Sequence, residues 1–166
     1  MKAPFFHGET DLQIDLKHRL ILPAEARKAI MPEHGEELFV VVGSNRVPWM
    51  YPDKYYEFLV SQTMPEVIPD EASIAFNQLK YAMAYRVKWD AQGRMVLPEK
   101  LLKLTGLKTE VTLLGCRDHL QLWDRSRWEG RREELWQTGI EVERKAREAN
   151  RRRQLEITKD VEPRPV

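Results

Sequence analysis

Two stretches of this chain repeat one pattern of apolar and polar positions. In the first, the apolar run Leu20–Leu22 follows a polar turn at Lys17-His18. In the second, the apolar run Met95–Leu97 follows a polar turn at Gln92-Gly93. Extended segments joined by a tight turn, with apolar residues bounded by turn residues, favour a β-hairpin. Each stretch therefore predicts a hairpin.

The two turns differ at one position, where the first has His18 and the second has Gly93. Glycine adopts a positive φ without steric cost, and histidine is one of the few other residues enriched in that region. We therefore expect a positive φ at both positions, with some strain at His18.

The hairpins belong to a longer repeat. Residues 14–23 align with residues 89–98 at an offset of 75 (89 − 14), and Asp, Arg, Leu and Pro are identical in both. The match resumes downstream at an offset of 72 (115 − 43), where Gly43 corresponds to Gly115. Order and spacing persist over both copies, which indicates a tandem duplication.

The same elements are predicted to follow each hairpin. A proline ends the hairpin strand and suits the start of a short helix, after which two apolar runs predict strands. The predicted helices are Ala24–Ile30 and Glu99–Leu104, and the predicted strands are Leu38–Val42, Val47–Met50, Val111–Leu114 and Leu120–Trp123. A helix from Asp70 to Ala84 is predicted between the copies, and a long helix from Asp124 to Asn150 after them.

Composition restricts the class of protein. Lys and Arg number 27 and Asp and Glu 26, but the charge is uneven. Residues 1–80 carry 8 basic and 12 acidic side chains, whereas residues 81–166 carry 19 and 14. No apolar run reaches the ~20 residues of a membrane helix, and no secretion signal is recognisable. We expect a cytosolic protein whose basic surface is local.

Nothing in the sequence predicts catalysis or a cofactor. The single Cys116 excludes an internal disulfide and a multi-cysteine zinc site. The four histidines have no partners at metal-ligand spacing, so we expect them at the surface or in turns. No nucleophile elbow or phosphate-binding loop is present. We therefore expect a protein that is not an enzyme and has no cofactor or small-molecule substrate.

The duplicated Asp-x-x-x-Arg hairpin followed by Leu-Pro resembles the SpoVT-AbrB superfamily. With the tandem arrangement and the sequence Trp-Asp-Arg-x-x-Trp-Glu at residues 123–129, the chain resembles the MraZ family. The resemblance runs from about Phe6 to Glu129. It implies a β-rich α+β fold, in which two tandem repeats form a swapped-hairpin (AbrB-like) β-barrel, with a linker helix and a long C-terminal helix.

The resemblance also implies a domain order and a function. The expected segments are a first SpoVT-AbrB repeat (6–57), a helical linker (58–84), a second repeat (85–129) and a C-terminal helical extension with a disordered tail (130–166). The tail is expected to begin at Lys159. MraZ proteins bind double-stranded DNA at repeated boxes upstream of the division and cell-wall gene cluster and regulate its transcription. A ring-shaped homo-oligomer in the cytoplasm, associated with the nucleoid, is therefore expected.

Six residues at the two turns are the expected DNA-binding residues. The family places the motif arginine on the DNA-facing surface, and an arginine beside a hairpin tip can fork to a phosphate or to guanine. The motif aspartate would cap the turn or orient the arginine, because a free carboxylate repels phosphate. The set is Arg19, Lys17 and Asp15 in the first copy and Arg94, Gln92 and Asp90 in the second.

Two alternatives stay open. From the repeat alone, Arg19 and Arg94 are equally compatible with structural pairs to their own aspartates. The acidic first half, His18, and the absence of the family's paired arginines from residues 74–78 suit an oligomeric protein-interaction module or an antitoxin-like protein with weakened DNA binding. The double motif argues against an antitoxin, since antitoxins of this superfamily usually carry one copy per chain.

Overall fold

The structure is a computed structural model that describes residues 1–63 and 69–161, with side chains as far as residue 154. The chain divides into two compact units, Met1–Arg125 and Ser126–Val166. The described residues contain eight strands and five α-helices. The strands are β1 (Glu9–Gln13), β2 (Arg19–Ile21), β3 (Glu37–Val42), β4 (Pro48–Pro52), β5 (Tyr85–Lys88), β6 (Arg94–Val96), β7 (Glu110–Gly115) and β8 (Leu120–Asp124). The helices are α1 (Ala24–Ala29), α2 (Asp53–Ser61), α3 (Glu71–Asn77), α4 (Glu99–Thr105) and α5 (Arg125–Val161).

The strands form two antiparallel sheets. The larger has six strands in the order β1-β7-β8-β4-β3-β5, and the smaller consists of β2 and β6. The mixed α+β class, with an antiparallel sheet and a long C-terminal helix, is confirmed. Hydrogen bonding does not join the sheets of the described residues into one closed barrel, so the swapped-hairpin barrel stays a prediction.

Strands of one copy pair with strands of the other. β1 pairs with β7 of the second copy, and β5 of the second copy pairs with β3 of the first. The two short strands pair so that Leu20 lies opposite Met95, which is its own counterpart in the repeat. Trp49 likewise lies opposite its counterpart Gln121. The two copies are therefore related by an approximate two-fold axis through these pairs.

The core lies on the inner faces of the β2–β6 pair and of the larger sheet. Its fully buried side chains come from both copies, and they include Leu20, Leu22, Leu38, Met95, Leu97, Leu101 and Leu122. Full burial of one such side chain stabilises the fold by about 1.5–3 kcal/mol. Because the apolar residues of each copy complete the core of the other, burial and strand pairing favour the same arrangement.

The hairpin turns have the expected backbone. His18 has φ 59° and Gly93 has φ 82°, which confirms a positive φ at both positions. The helices α1 and α4 begin directly after Pro23 and Pro98, and α4 ends at Gly106 with φ 69°. A left-handed glycine is a common helix C-cap because it has no Cβ to clash.

Some predicted boundaries were wrong. The helix between the copies begins after Asp70, whose side chain accepts from the Ser73 N–H, but it becomes a π-helical turn at Gln78–Ala82. The last helix continues to Val161, beyond the predicted Asn150, so residues 159–161 of the expected disordered tail are helical. Residues 162–166 of that tail and residues 64–68 of the expected linker lie outside the described residues.

The expectation that all histidines are exposed or in turns was wrong for His34, whose exposure is 1%. Its Nδ1 accepts a hydrogen bond from the Met31 N–H at 3.0 Å, and its Nε2 lies 2.8 Å from the Lys2 carbonyl. Because Nδ1 accepts from the Met31 N–H, the Nε2 position is the one that can donate to the Lys2 carbonyl. Buried polar groups need such partners, and these become visible only after folding.

We predict that Gly93→Ala destabilises the protein more than Gly106→Ala does. Both glycines have positive φ, so each substitution strains the backbone, by about 1–2 kcal/mol. A Cβ at Gly93 would also lie 2.9 Å from the Leu22 carbonyl oxygen and 2.8 Å from Arg27 Nε, whereas a Cβ at Gly106 meets nothing within 4 Å. Urea unfolding midpoints of the two variants measure the difference. Equal destabilisation of the two variants would show that the close approach of Leu22 and Arg27 to Gly93 does not affect the free energy of unfolding.

Candidate nucleic-acid interface

The first Asp–Arg turn is closed by a single carboxylate. Asp15 Oδ1 accepts from the backbone N–H groups of Lys17 and Arg19, both at 2.8 Å. Asp15 Oδ2 accepts from Arg19 Nε at 2.6 Å. One carboxylate therefore holds the turn and fixes the guanidinium beside it, and this pair does not use the two Nη nitrogens of Arg19.

The second turn repeats this network. Asp90 Oδ1 accepts from the N–H groups of Gln92 and Arg94, both at 2.9 Å, and Oδ2 accepts from Arg94 Nε at 2.8 Å. The Gln92 side-chain oxygen also accepts from an Nη nitrogen of Arg94 at 3.3 Å. Gln92 is therefore a positioning contact for Arg94, a role that Lys17 does not have in the first copy.

The motif aspartates are held in their charged form. The pKa of Asp15 is lowered chiefly by the backbone hydrogen bond from Arg19, with smaller contributions from the Arg19 side chain and the Lys17 N–H. The pKa of Asp90 is lowered in the same way by the backbone and side chain of Arg94 and by the N–H of Gln92. Each carboxylate is thus occupied by donors of its own turn, which reduces its repulsion of an approaching anion.

Strand register places both arginines on one face. In the β2–β6 pair, Arg19 lies opposite Val96 and Ile21 lies opposite Arg94. The central pair, Leu20 and Met95, is fully buried. Because successive side chains of a strand point to opposite faces, Arg19, Ile21, Arg94 and Val96 share the outward face. We call this two-stranded element, from His18 to Leu22 and from Gly93 to Leu97, the ribbon.

The two turns lie at opposite ends of the ribbon. The Leu97 N–H donates to the His18 carbonyl at 2.9 Å at one end, and the Leu22 N–H donates to the Gly93 carbonyl at 2.8 Å at the other. The four-residue step from His18 to Leu22 corresponds to about 14 Å of antiparallel strand. The side chains of Arg19 and Arg94 are 42% and 48% exposed. The ribbon therefore presents one accessible arginine near each end.

Arg27 also lies at this surface, although the repeat does not reveal it. Its Nε donates to the Leu22 carbonyl at 3.2 Å, and it lies against Gly93. The first copy thus supplies a cation to the end of the ribbon where the second copy has the neutral Gln92. The repeat counterpart of Arg27 is Leu102, so only the exchange of strands between the copies identifies the position.

The arginine-rich helix α5, described by itself, contains several ion pairs between its own side chains. Arg144 contacts Glu141 at 2.8 Å and Glu148 at 2.6 Å, and Arg147 contacts Glu143 at 2.5 Å. Glu141 also pairs with Lys145, four residues further along the helix, at 3.4 Å. Much of the positive charge of this helix is therefore balanced within the helix.

A metal site, a membrane-spanning helix and a reactive thiol have less support than the ribbon. Within the described part of the chain, no group of three or more His, Cys, Asp or Glu side chains is placed to hold a metal ion. Among the described helices, none combines the length and the apolar character that crossing a membrane requires. Burial raises the pKa of the Cys116 thiol to about 11, with a smaller effect of Asp118, so this thiol is a weak nucleophile.

Comparison with known proteins agrees with these features. Residues 81–153 match the family model "MraZ protein, putative antitoxin-like". The chain is 32% identical over 125 residues to a protein of Neisseria meningitidis serogroup C named "Transcriptional regulator MraZ", which covers 75% of this chain and 83% of the relative. A protein of Symbiobacterium thermophilum with the same name is 28% identical over 138 residues, or 83% of this chain and 97% of the relative.

The fold and the ribbon define a duplicated α+β protein with an exposed, arginine-bearing strand pair. The chain belongs to the MraZ family, since its similarity to the Neisseria protein spans most of both chains. The matched relatives are named as transcriptional regulators and not as enzymes.

We predict that Arg19→Ala leaves the pKa of Asp15 below the ordinary value of 3.8, because the backbone N–H of residue 19, the largest cause of the shift, is retained. A lowered pKa means that the carboxylate stabilises the fold above its unfolded-state pKa and that this contribution disappears as pH falls through the folded-state pKa. Carbon-detected NMR titration of the carboxyls measures the shift, with Asp90 in the same variant as the internal control. A return of Asp15 to 3.8 would show that the Arg19 side chain alone holds the carboxylate.

Proposed function

We propose that this chain is a sequence-specific DNA-binding transcriptional regulator of the MraZ type. It binds double-stranded DNA at repeated boxes upstream of the division and cell-wall gene cluster, as a ring-shaped homo-oligomer. It works in the cytoplasm at the nucleoid, without a cofactor or small-molecule substrate. The observation that carries the proposal is the pair of equivalent Asp–Arg turns at the two ends of one exposed ribbon.

The six predicted residues divide into contacting and positioning roles. Arg19 and Arg94 offer their Nη nitrogens to phosphate or to the guanine edge, since each Nε is already bound by an aspartate. Asp15 and Asp90 position them. The remaining residues act at the ends of the ribbon: Lys17 contacts a phosphate, and Gln92 supports Arg94.

Arg27 joins this set as a further phosphate contact at the second end. With it, each end carries two cations, Lys17 and Arg19 at the first and Arg27 and Arg94 at the second. At the first end, His18 also lies near Glu99, whose carboxylate pairs with Lys103 at 2.6 Å. The pKa of Glu99 is lowered chiefly by Lys103 and to a smaller degree by His18.

The finer architecture follows from the exchange of strands. We propose that the two sheets are the two parts of one swapped-hairpin barrel, because β1 and β5 each pair with the opposite copy. The repeats then span 6–57 and 85–129, with the helical linker at 58–84 and the C-terminal extension at 130–166. In a ring, many weak ribbons engage spaced boxes together, and affinity rises through effective concentration.

A second candidate is an oligomeric protein-interaction module, or an antitoxin-like protein, in which α5 binds a protein partner. It is favoured by Trp136 and Ile140, which are 79% and 89% exposed on a helix whose other exposed residues are mostly charged. Residues four apart share a helix face, so these two form one small apolar patch. Trp136→Ala would abolish partner binding on this hypothesis and leave DNA affinity unchanged.

We predict that Arg19→Ala/Arg94→Ala weakens binding to a duplex from the upstream region of the protein's own gene. It should also flatten the dependence of log K on log salt, by roughly 0.9 for each phosphate that the variant no longer neutralises. Fluorescence anisotropy over a salt series measures both quantities.

The matched control is Arg144→Ala/Arg147→Ala, which removes the same formal charge from α5, where glutamates already hold both side chains. It should leave affinity and slope nearly unchanged. Wild-type binding that is insensitive to salt, or equal weakening in the two double variants, would contradict the proposal. Size-exclusion chromatography of all variants checks that the oligomer is intact.

A further inference from the structure

We propose that Ile21 and Val96 are specificity-determining residues that contact the methyl groups of thymine in the major groove. The inference rests on the proposed function, since it requires the ribbon to face DNA. It adds direct recognition of base edges to the arginine contacts already described.

The first support is exposure. Ile21 and Val96 are 56% and 59% exposed, although both are branched aliphatic residues in short strands with fully buried neighbours. The outward face of a half-buried strand normally carries polar residues. Both copies carry an apolar residue on this outward face instead. The two residues occupy equivalent positions, since residues 21 and 96 are counterparts in the repeat.

The second support is the position of these side chains relative to the arginines. Each aliphatic residue lies directly opposite the arginine of the other copy, Val96 opposite Arg19 and Ile21 opposite Arg94. Directly opposed side chains in an antiparallel pair have Cβ atoms about 4.5–5.5 Å apart. A ligand that engages the arginines therefore covers the aliphatic side chains. This ligand must be anionic and must also offer apolar groups close to its charged ones.

The third support is size. The major groove of B-DNA is about 12 Å wide and admits a two-stranded β-ribbon. The ribbon has turns about 14 Å apart along the strand, so its ends reach the phosphates on both sides while its centre faces the bases. Lys17 lies at one turn and Arg27 against the other. These cations are placed for the phosphates, which leaves the central face for the base edges.

Thymine is the base that this face fits. Among the four bases it alone presents a methyl group in the major groove, and apolar side chains recognise it by contact. A guanine beside a thymine matches an arginine beside an aliphatic side chain. Removing one buried methyl group should cost roughly fourfold in affinity, on the scale of one buried methylene.

The test uses two duplexes of the upstream region, one natural and one in which every thymine is replaced by uracil, which lacks only the 5-methyl group. The proteins are the full-length wild type and Ile21→Ser/Val96→Ser. Serine removes every methyl group from both side chains, whereas threonine would keep one that can still contact a thymine methyl. Ile74→Ser, at an exposed position of α3, is the matched control.

The wild type and the Ile74→Ser control should each bind the uracil duplex roughly fourfold less tightly per contacted thymine, and the double serine variant should bind both duplexes equally. Equal wild-type binding to the two duplexes, with salt and arginine dependence retained, would overturn this inference and leave the proposed function standing. An undiminished uracil penalty in the double variant would also overturn it. A changed oligomeric state in that variant would instead assign Ile21 and Val96 to a subunit interface. Absence of any salt-sensitive DNA binding by the wild type would contradict the proposed function itself.

Discussion

The exchange of strands between the two copies determines how this chain folds and where its exposed arginines lie. β1 and β5 lie at the edges of the larger sheet, and each finds its pairing partner in the opposite copy. Among the described residues, the short strands β2 and β6 form a ladder with each other, and Met95 adds an isolated bridge to Trp89. Since unpaired backbone groups are costly to bury, each copy depends on the other for most of the pairing of its short strand. The duplication thus produces one folding unit instead of two linked domains.

The same exchange creates the candidate DNA surface. An approximate two-fold axis between the copies brings two Asp–Arg turns to the ends of one ribbon, and the buried Leu20 and Met95 anchor this ribbon. Each aspartate uses its oxygens to bind backbone N–H groups and one edge of the arginine. Folding of the turn and orientation of the guanidinium are therefore one event, which prepares the arginine at little further entropic cost when it binds.

The sequence predicted what local chemistry controls. The tight turns, the positive φ at His18 and Gly93 and the backbone hydrogen bonds that Asp15 accepts all depend on residues within a few positions of one another. The predicted hairpin ladders were wrong, because β1 pairs with β7, β5 with β3 and β2 with β6. Features that depend on pairing between the copies could not be predicted from the sequence. Arg27 reaches Gly93 only through the exchange, and Ile21 is identified as exposed only by the register with Arg94. His34 was misjudged because its partners, Met31 and Lys2, become close only on folding.

Site-directed photocrosslinking can establish whether both copies contact the same stretch of DNA. A photoactivatable group is attached to Lys17→Cys or to Gln92→Cys, each with Cys116→Ser, and the crosslinked nucleotides are mapped on the upstream duplex. If both turns of one ribbon face the same major groove, crosslinks from the two positions should fall within about half a helical turn, roughly five base pairs, on either side of that groove. Crosslinks from only one of the two positions, or pairs that are always a full turn or more apart, would contradict it.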